Sequence, residues 1–134
     1  MESVDLNWLA VVVSTVAAMV IGALWYSPLL FARQWMAATG RTAEEMGGAN
    51  IGYAVAAASW LIVSITIATV VDWAEADNLV DGITVGAFMW LAFVATTMAI
   101  NTMFSGRSRN LYLIDVGYHL AAFVVIGAIH GLWN

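Results

Sequence analysis

The side chains best suited to chemistry lie in one apolar stretch near the end of the chain, from Leu111 to Trp133. This stretch holds Asp115, the only acidic residue inside an apolar run, and both histidines, His119 and His130. At 100° per residue, these three side chains fall on one face of a helix. An ionisable group in hydrocarbon is costly, so this face is predicted to be a functional site.

Asp115 and His119 are four residues apart, so their side chains are predicted to meet. Such a pair can share a proton and could relay protons or hold a cation. The alternative is structural: an interfacial Asp115 held by Arg107, Arg109 or water, with His119 as its partner. Metal or haem ligation is a third possibility, but His119 and His130 are about 16 Å apart along the helix, too far for one metal. We expect no metal and no cofactor.

A third polar residue is predicted to join this site from the preceding span. Asn101 and Asp115 each lie about 9 Å from the turn that holds Arg107 and Arg109, so they share a depth in the membrane. The Asn101 amide is therefore expected to bond to the Asp115 carboxyl, with His119 one turn deeper. His130 extends the predicted substrate or proton path along the same face.

The composition indicates that membrane-spanning helices position these groups. Of 134 residues, 63% are hydrophobic and only 10% are charged, against roughly 25% charged in soluble domains. We predict an all-α membrane protein, one domain over residues 1–134, with four transmembrane helices at about 8–27, 51–71, 83–104 and 111–133. No basic stripe indicates nucleic acid binding. The sequence does not offer a nucleophile, a base and an oxyanion-binding group that together would indicate an enzyme.

The connections between the spans predict the orientation. Pro28 interrupts the first helix, and the segment from Leu29 to Met36 is predicted to form a short interfacial helix. Interface anchors are expected at Trp25, Tyr26, Pro28 and Trp35. All four arginines lie in the first and third connections, which places these connections in the cytoplasm and both termini outside.

Small residues recur every fourth position in two spans, as Ser14, Ala18 and Gly22 and as Gly127 and Gly131. Such spacing lets helices approach closely. One four-helix bundle is not expected to use both faces, so a homo-oligomer is predicted.

Several residues resemble a known family. An Asn7–Trp8 start, the segment GALWYSPLLF from Gly22 to Phe31 and the following Trp35 are similar to the bacterial membrane family catalogued as domain of unknown function 1761. The most specific part is WYSP, from Trp25 to Pro28. The resemblance implies a four-helix protein of the bacterial inner membrane and no established activity.

Two functions stay open. The first is a small transporter or ion or proton permeation protein that uses the polar face of the fourth helix. The second is a structural or accessory subunit of a membrane complex, in which that face packs against a partner. The small multidrug exporters are excluded, because they need a glutamate in the first span and no acid lies between Asp5 and Glu44.

Overall fold

The computed structural model describes residues 3–42 and 50–133, and all regular structure in these ranges is helical. Four helices are long and apolar enough to cross a membrane: α1 (Trp8–Trp25), α3 (Asn50–Trp73), α4 (Leu79–Ser105) and α5 (Arg109–Leu132). A short helix, α2 (Ala32–Thr39), follows α1. The prediction of an all-α chain with four such helices is confirmed.

Polar caps and turns set the ends of these helices. The side chains of Asn7, Asn78 and Ser108 accept backbone N–H bonds at the starts of α1, α4 and α5, as N-cap residues do. Because Asn78 caps α4, the helix starts four residues earlier than predicted, and the acidic connection before it is short. The turn between α4 and α5 contains Gly106 in the left-handed region, at φ 70°, a conformation that costs glycine little.

The helix α5 is the central element of the bundle. Its core residues Ala122 and Ile126 are fully buried, and α5 contacts each of the other helices. The buried hydrophobic cluster is completed by side chains of α1 and α3, among them Ala18, Trp60, Ile67 and Val71. The rest of α1, α3 and α4 exposes large apolar side chains, as expected of helices that face lipid.

Two pairs of glycines bring α4 and α5 into backbone contact. A Cβ atom added to Gly82 would lie 2.2 Å from the Gly127 carbonyl oxygen, and one added to Gly131 would lie 2.5 Å from the Asn78 carbonyl oxygen. Gly86 is equally close to the backbone of α5, at Phe123. The predicted packing pair Gly127 and Gly131 is therefore covered inside the chain.

The other predicted packing face is also used within the bundle. Ser14 and Ala18 are fully buried, and a Cβ atom on Gly22 would lie 2.7 Å from the Tyr118 hydroxyl oxygen. The expectation that one bundle cannot consume both small-residue faces was wrong, since α5 receives α1 on one side and α4 on another. The homo-oligomer stays a prediction, without these two faces to support it.

Candidate functional site

The Asp115 carboxylate is held by a phenol from α1. Tyr26, the residue after α1 ends, donates its hydroxyl to Asp115 Oδ1 at 2.6 Å. Burial raises the pKa of Tyr26 above its usual range, and the hydrogen bond to Asp115 raises it further. The phenol therefore keeps its proton and remains a donor to the carboxylate.

No arginine or histidine of the described ranges forms an ion pair with Asp115. Within residues 3–42 and 50–133 no ion pair involves this carboxylate, and neither Arg107 nor Arg109 bonds to it. The structural alternative named Arg107, Arg109 or water as the partner of an interfacial Asp115, and neither arginine makes that contact. In the described part of the chain, the half-buried Asp115 carboxylate has the Tyr26 hydroxyl as its hydrogen-bond donor.

His119 does not bond to the Asp115 side chain. Its Nδ1 lies 2.8 Å from the Asp115 backbone carbonyl oxygen and donates to it, and its ring lies beside the rings of Trp60 and Tyr118. The predicted proton-sharing pair was therefore wrong in its contact. A side-chain donor four residues along a helix can reach the free lone pair of the backbone carbonyl, as Ser and Thr hydroxyls do.

Asn101 is not part of this site. Its side chain is exposed on α4, and no hydrogen bond joins its amide to Asp115 in the described part of the chain. The predicted Asn101–Asp115 bond is corrected by the Tyr26 contact. Distance from the turn fixes depth only, whereas rotation about the helix axis decides which face meets the neighbour.

A second hydrogen bond joins α1 and α5 deeper in the bundle. Tyr118 is buried and donates its hydroxyl to the Ala18 carbonyl oxygen at 2.9 Å. Its ring packs edge-on against Tyr26, with ring centroids 5.5 Å apart, and against Trp60 at 5.4 Å. Aromatic side chains therefore separate the Asp115 end of the bundle from its opposite end.

At that opposite end, three buried side chains from three helices form one polar cluster. The Ser64 hydroxyl on α3 lies 3.0 Å from His130 Nε2 on α5 and 2.5 Å from the Ser14 hydroxyl on α1. Ser14 Oγ is also 3.3 Å from His130 Nε2. The Val11 carbonyl oxygen accepts from these hydroxyls, at 3.1 Å from Ser14 and 3.3 Å from Ser64.

This cluster changes the roles assigned from sequence. Ser14 was predicted as a helix-packing residue and His130 as part of a path, and the structure puts both in one hydrogen-bonded group. Ser64 was missed, because hydroxyls in membrane helices usually bond back to their own helix. A partial signal was present in the sequence, since Ser14 and Ser64 are hydroxyl residues inside apolar spans, where such a side chain can also bond to a neighbouring helix.

Two of the predicted interface anchors, Trp25 and Tyr26, bond directly to α5. The Trp25 indole donates to the Ile114 carbonyl oxygen at 2.9 Å, and Trp35 packs edge-on against Tyr26 at 6.5 Å. Pro28 lies exposed in the turn after α1. The WYSP segment therefore ties the end of α1 to the Asp115 region of α5.

Comparison with protein-family models gives the family whose resemblance was noted in the sequence. The model of a family described as a protein of unknown function (DUF1761) matches residues 9–131. The chain belongs to this family. No curated protein and no solved structure matches it.

Proposed function

We propose that this chain is a multi-pass protein of the bacterial inner membrane that passes protons along the interface between α1 and α5. We call this interface the α1/α5 seam and define it by Tyr26, Asp115, Tyr118, Ser14 and His130. The observation that carries the proposal is the succession of hydrogen-bonded groups along the seam. From Asp115 to His130 these groups cover about 22 Å of α5, which is most of a hydrocarbon core.

The packing between these groups favours a proton over a larger substrate. Ala18, Ala122 and Ile126 are fully buried between Tyr118 and the serine–histidine cluster. The Ala18 carbonyl and Ser14 are four residues apart, about 6 Å along α1. A single transient water can bridge such a gap between polar groups, whereas a hydrated metal ion needs the helices to separate.

The two ends of the seam have chemistry suited to proton exchange. Asp115 is hydrogen-bonded to the neutral Tyr26 hydroxyl, and a carboxyl group accepts hydrogen bonds when it is ionised and donates one when it is protonated. At the other end, imidazole and two hydroxyls can each donate and accept. In this proposal Asp115 exchanges protons with the cytoplasmic side, and the termini and His130 face the outer side.

The proposal also includes the location of α2. This helix follows the α1 turn and carries Arg33 beside Trp35 and Met36. Such a mixture of apolar and basic side chains is typical of a helix in the membrane interface. We propose that α2 lies along the cytoplasmic surface, next to the start of α5.

The test is proton flux into liposomes that contain the purified protein and a trapped pH-sensitive dye, driven by a potassium potential. Wild type is expected to acidify the lumen faster than protein-free liposomes, and Asp115→Asn is expected to return the rate to the protein-free level. Asp77→Asn is the matched control, because it removes the same charge from an exposed loop. Equal flux in wild type and Asp115→Asn would refute the proposal.

A second function is favoured by a different observation. Every buried side-chain nitrogen or oxygen in the described ranges has a hydrogen-bond partner, and α4 leaves large apolar side chains exposed, including Phe88, Phe93 and Phe104. An accessory subunit would use the seam as a structural lock and α4 as its contact with a larger protein. A folded wild-type protein with no flux in liposomes would favour this function.

A further inference from the structure

An open groove of about 600 Å³ lies between α2 and the start of α5, and we call it the α2/α5 groove. Its apolar lining residues include Phe31, Ala37 and Leu113, and its polar lining residues are Gln34, Ser108 and Asn110. None of its lining residues is one of the five that define the seam, although Ile114, which also lines it, directly precedes Asp115. A groove lined by both apolar and polar side chains fits a ligand that has both an acyl chain and a polar group.

The charges around this groove determine the sign of that polar group. Arg107 and Arg109 flank Ser108, and Arg33 precedes Gln34. All three arginines are exposed, and in the described part of the chain no acidic side chain pairs with them. Three exposed arginines that adjoin lining residues in the chain favour an anion, and guanidinium groups bind phosphate with good geometry.

The backbone at the N-terminus of α5 also favours an anion. Ser108 caps the helix by accepting from the Leu111 N–H at 3.1 Å, so the groove opens beside a helix N-terminus. The first N–H groups of a helix lack internal partners and carry partial positive charge. They add to the arginines as donors for a phosphate group.

From the groove and its charges, we infer that the α2/α5 groove binds one anionic phospholipid. An acyl chain lies along Phe31, Ala37 and Leu113, and the phosphate lies toward Ser108 between Arg107 and Arg109. Free phosphate would satisfy the donors but would leave the apolar lining residues uncovered. A zwitterionic lipid would cover these residues but would bring the positive charge of its headgroup toward the arginines.

The test is native mass spectrometry of the purified protein titrated with phosphatidylglycerol, phosphatidylethanolamine or inorganic phosphate. The expected result is one retained phosphatidylglycerol, with weaker retention of phosphatidylethanolamine and no binding of phosphate alone. Arg107→Gln with Arg109→Gln is expected to weaken phosphatidylglycerol binding by on the order of fivefold for each arginine. Ala37→Trp, at an exposed position of α2, is expected to weaken it by filling the groove.

Arg41→Gln is the control for loss of one positive charge, because Arg41 lies two residues after α2 and neither lines the groove nor adjoins a lining residue in the chain. Binding in this variant should equal that of wild type. Equal loss in Arg41→Gln and the double variant would mean general charge attraction and would overturn the site. Equal retention of the two lipids, binding of phosphate alone, or full binding by Ala37→Trp would also overturn it. Circular dichroism of each variant checks that the helices are intact.

Discussion

The closest helix contact in the bundle gives a prediction that can be worked out from distances. Replacing Gly82 with alanine would place Cβ 2.2 Å from the Gly127 carbonyl oxygen and 2.9 Å from the Gly131 Cα atom. Ordinary contacts begin near 3.4 Å. The helices α4 and α5 must therefore move apart by about 1.2 Å, the difference between these distances, because a backbone atom cannot rotate away. Overpacking of this kind costs about 1–3 kcal/mol.

A second glycine on the same face allows a sharper test. A Cβ atom on Gly86 would lie 2.3 Å from the Phe123 carbonyl oxygen, so it demands nearly the same separation. Once one alanine has moved the helices apart, the other fits at little further cost. The double variant Gly82→Ala with Gly86→Ala should therefore lose clearly less stability than the two single losses added together.

The measurement is the free energy of unfolding in mixed micelles, followed by tryptophan fluorescence as the fraction of denaturing detergent rises. Gly52→Ala is the control, because it makes the same change at an exposed helical position of α3, where alanine is expected to be neutral or stabilising by up to about 1 kcal/mol. Unchanged stability in Gly82→Ala, or full additivity in the double variant, would refute the reasoning about this contact.

Three further predictions follow from the charges, the site and the exposed faces. A cysteine at Asp77 should react with an impermeant reagent from outside the cell only; labelling only from the cytoplasm would reverse the proposed topology. Tyr26→Phe should destabilise the bundle by roughly 1 kcal/mol at neutral pH. Folding raises the pKa of Tyr26, so the stability that its hydroxyl contributes is present below the unfolded pKa of about 10 and is lost as pH rises further. The difference in unfolding free energy between wild type and Tyr26→Phe should therefore shrink in titrations above about pH 10. If the chain is a homo-oligomer, its mass in nanodiscs should exceed that of one chain, and Phe93→Ala on the exposed face of α4 should lower it; a monomer in both nanodiscs and mild detergent would contradict this.

The four spans could be predicted because each is an apolar run of the right length, uncharged in the first three and holding only Asp115 in the fourth. The ends of the spans were harder to predict, because they depend on capping by single residues such as Asn78. The close packing of α4 on α5 was within reach of the sequence, since Gly82 and Gly86 repeat the spacing of Gly127 and Gly131. It was missed because only one of the two pairs was considered.

The candidate site was predictable in part. Asp115 and His130 stand out as ionisable groups in an apolar helix, but their partners depend on how neighbouring helices are rotated, and periodicity within one helix carries no such information. Ser64 illustrates the difficulty. Thr66 and Thr69 on the same helix donate to their own backbone, at 2.8 Å each, whereas Ser64 contacts two other helices. Only the packing distinguishes these hydroxyls.

The central claim is that protons follow the whole seam, so the most direct measurement tests the end that is distant from Asp115. Proton flux into liposomes should be compared between wild type, the double variant Ser14→Ala with Ser64→Ala, and a control. The control is Ser59→Ala, which removes an exposed hydroxyl from α3, the helix that carries Ser64. The account predicts that the double variant, shown to be folded by its tryptophan fluorescence, loses the protein-dependent flux while Ser59→Ala keeps it. Wild-type flux in the folded double variant would contradict the account.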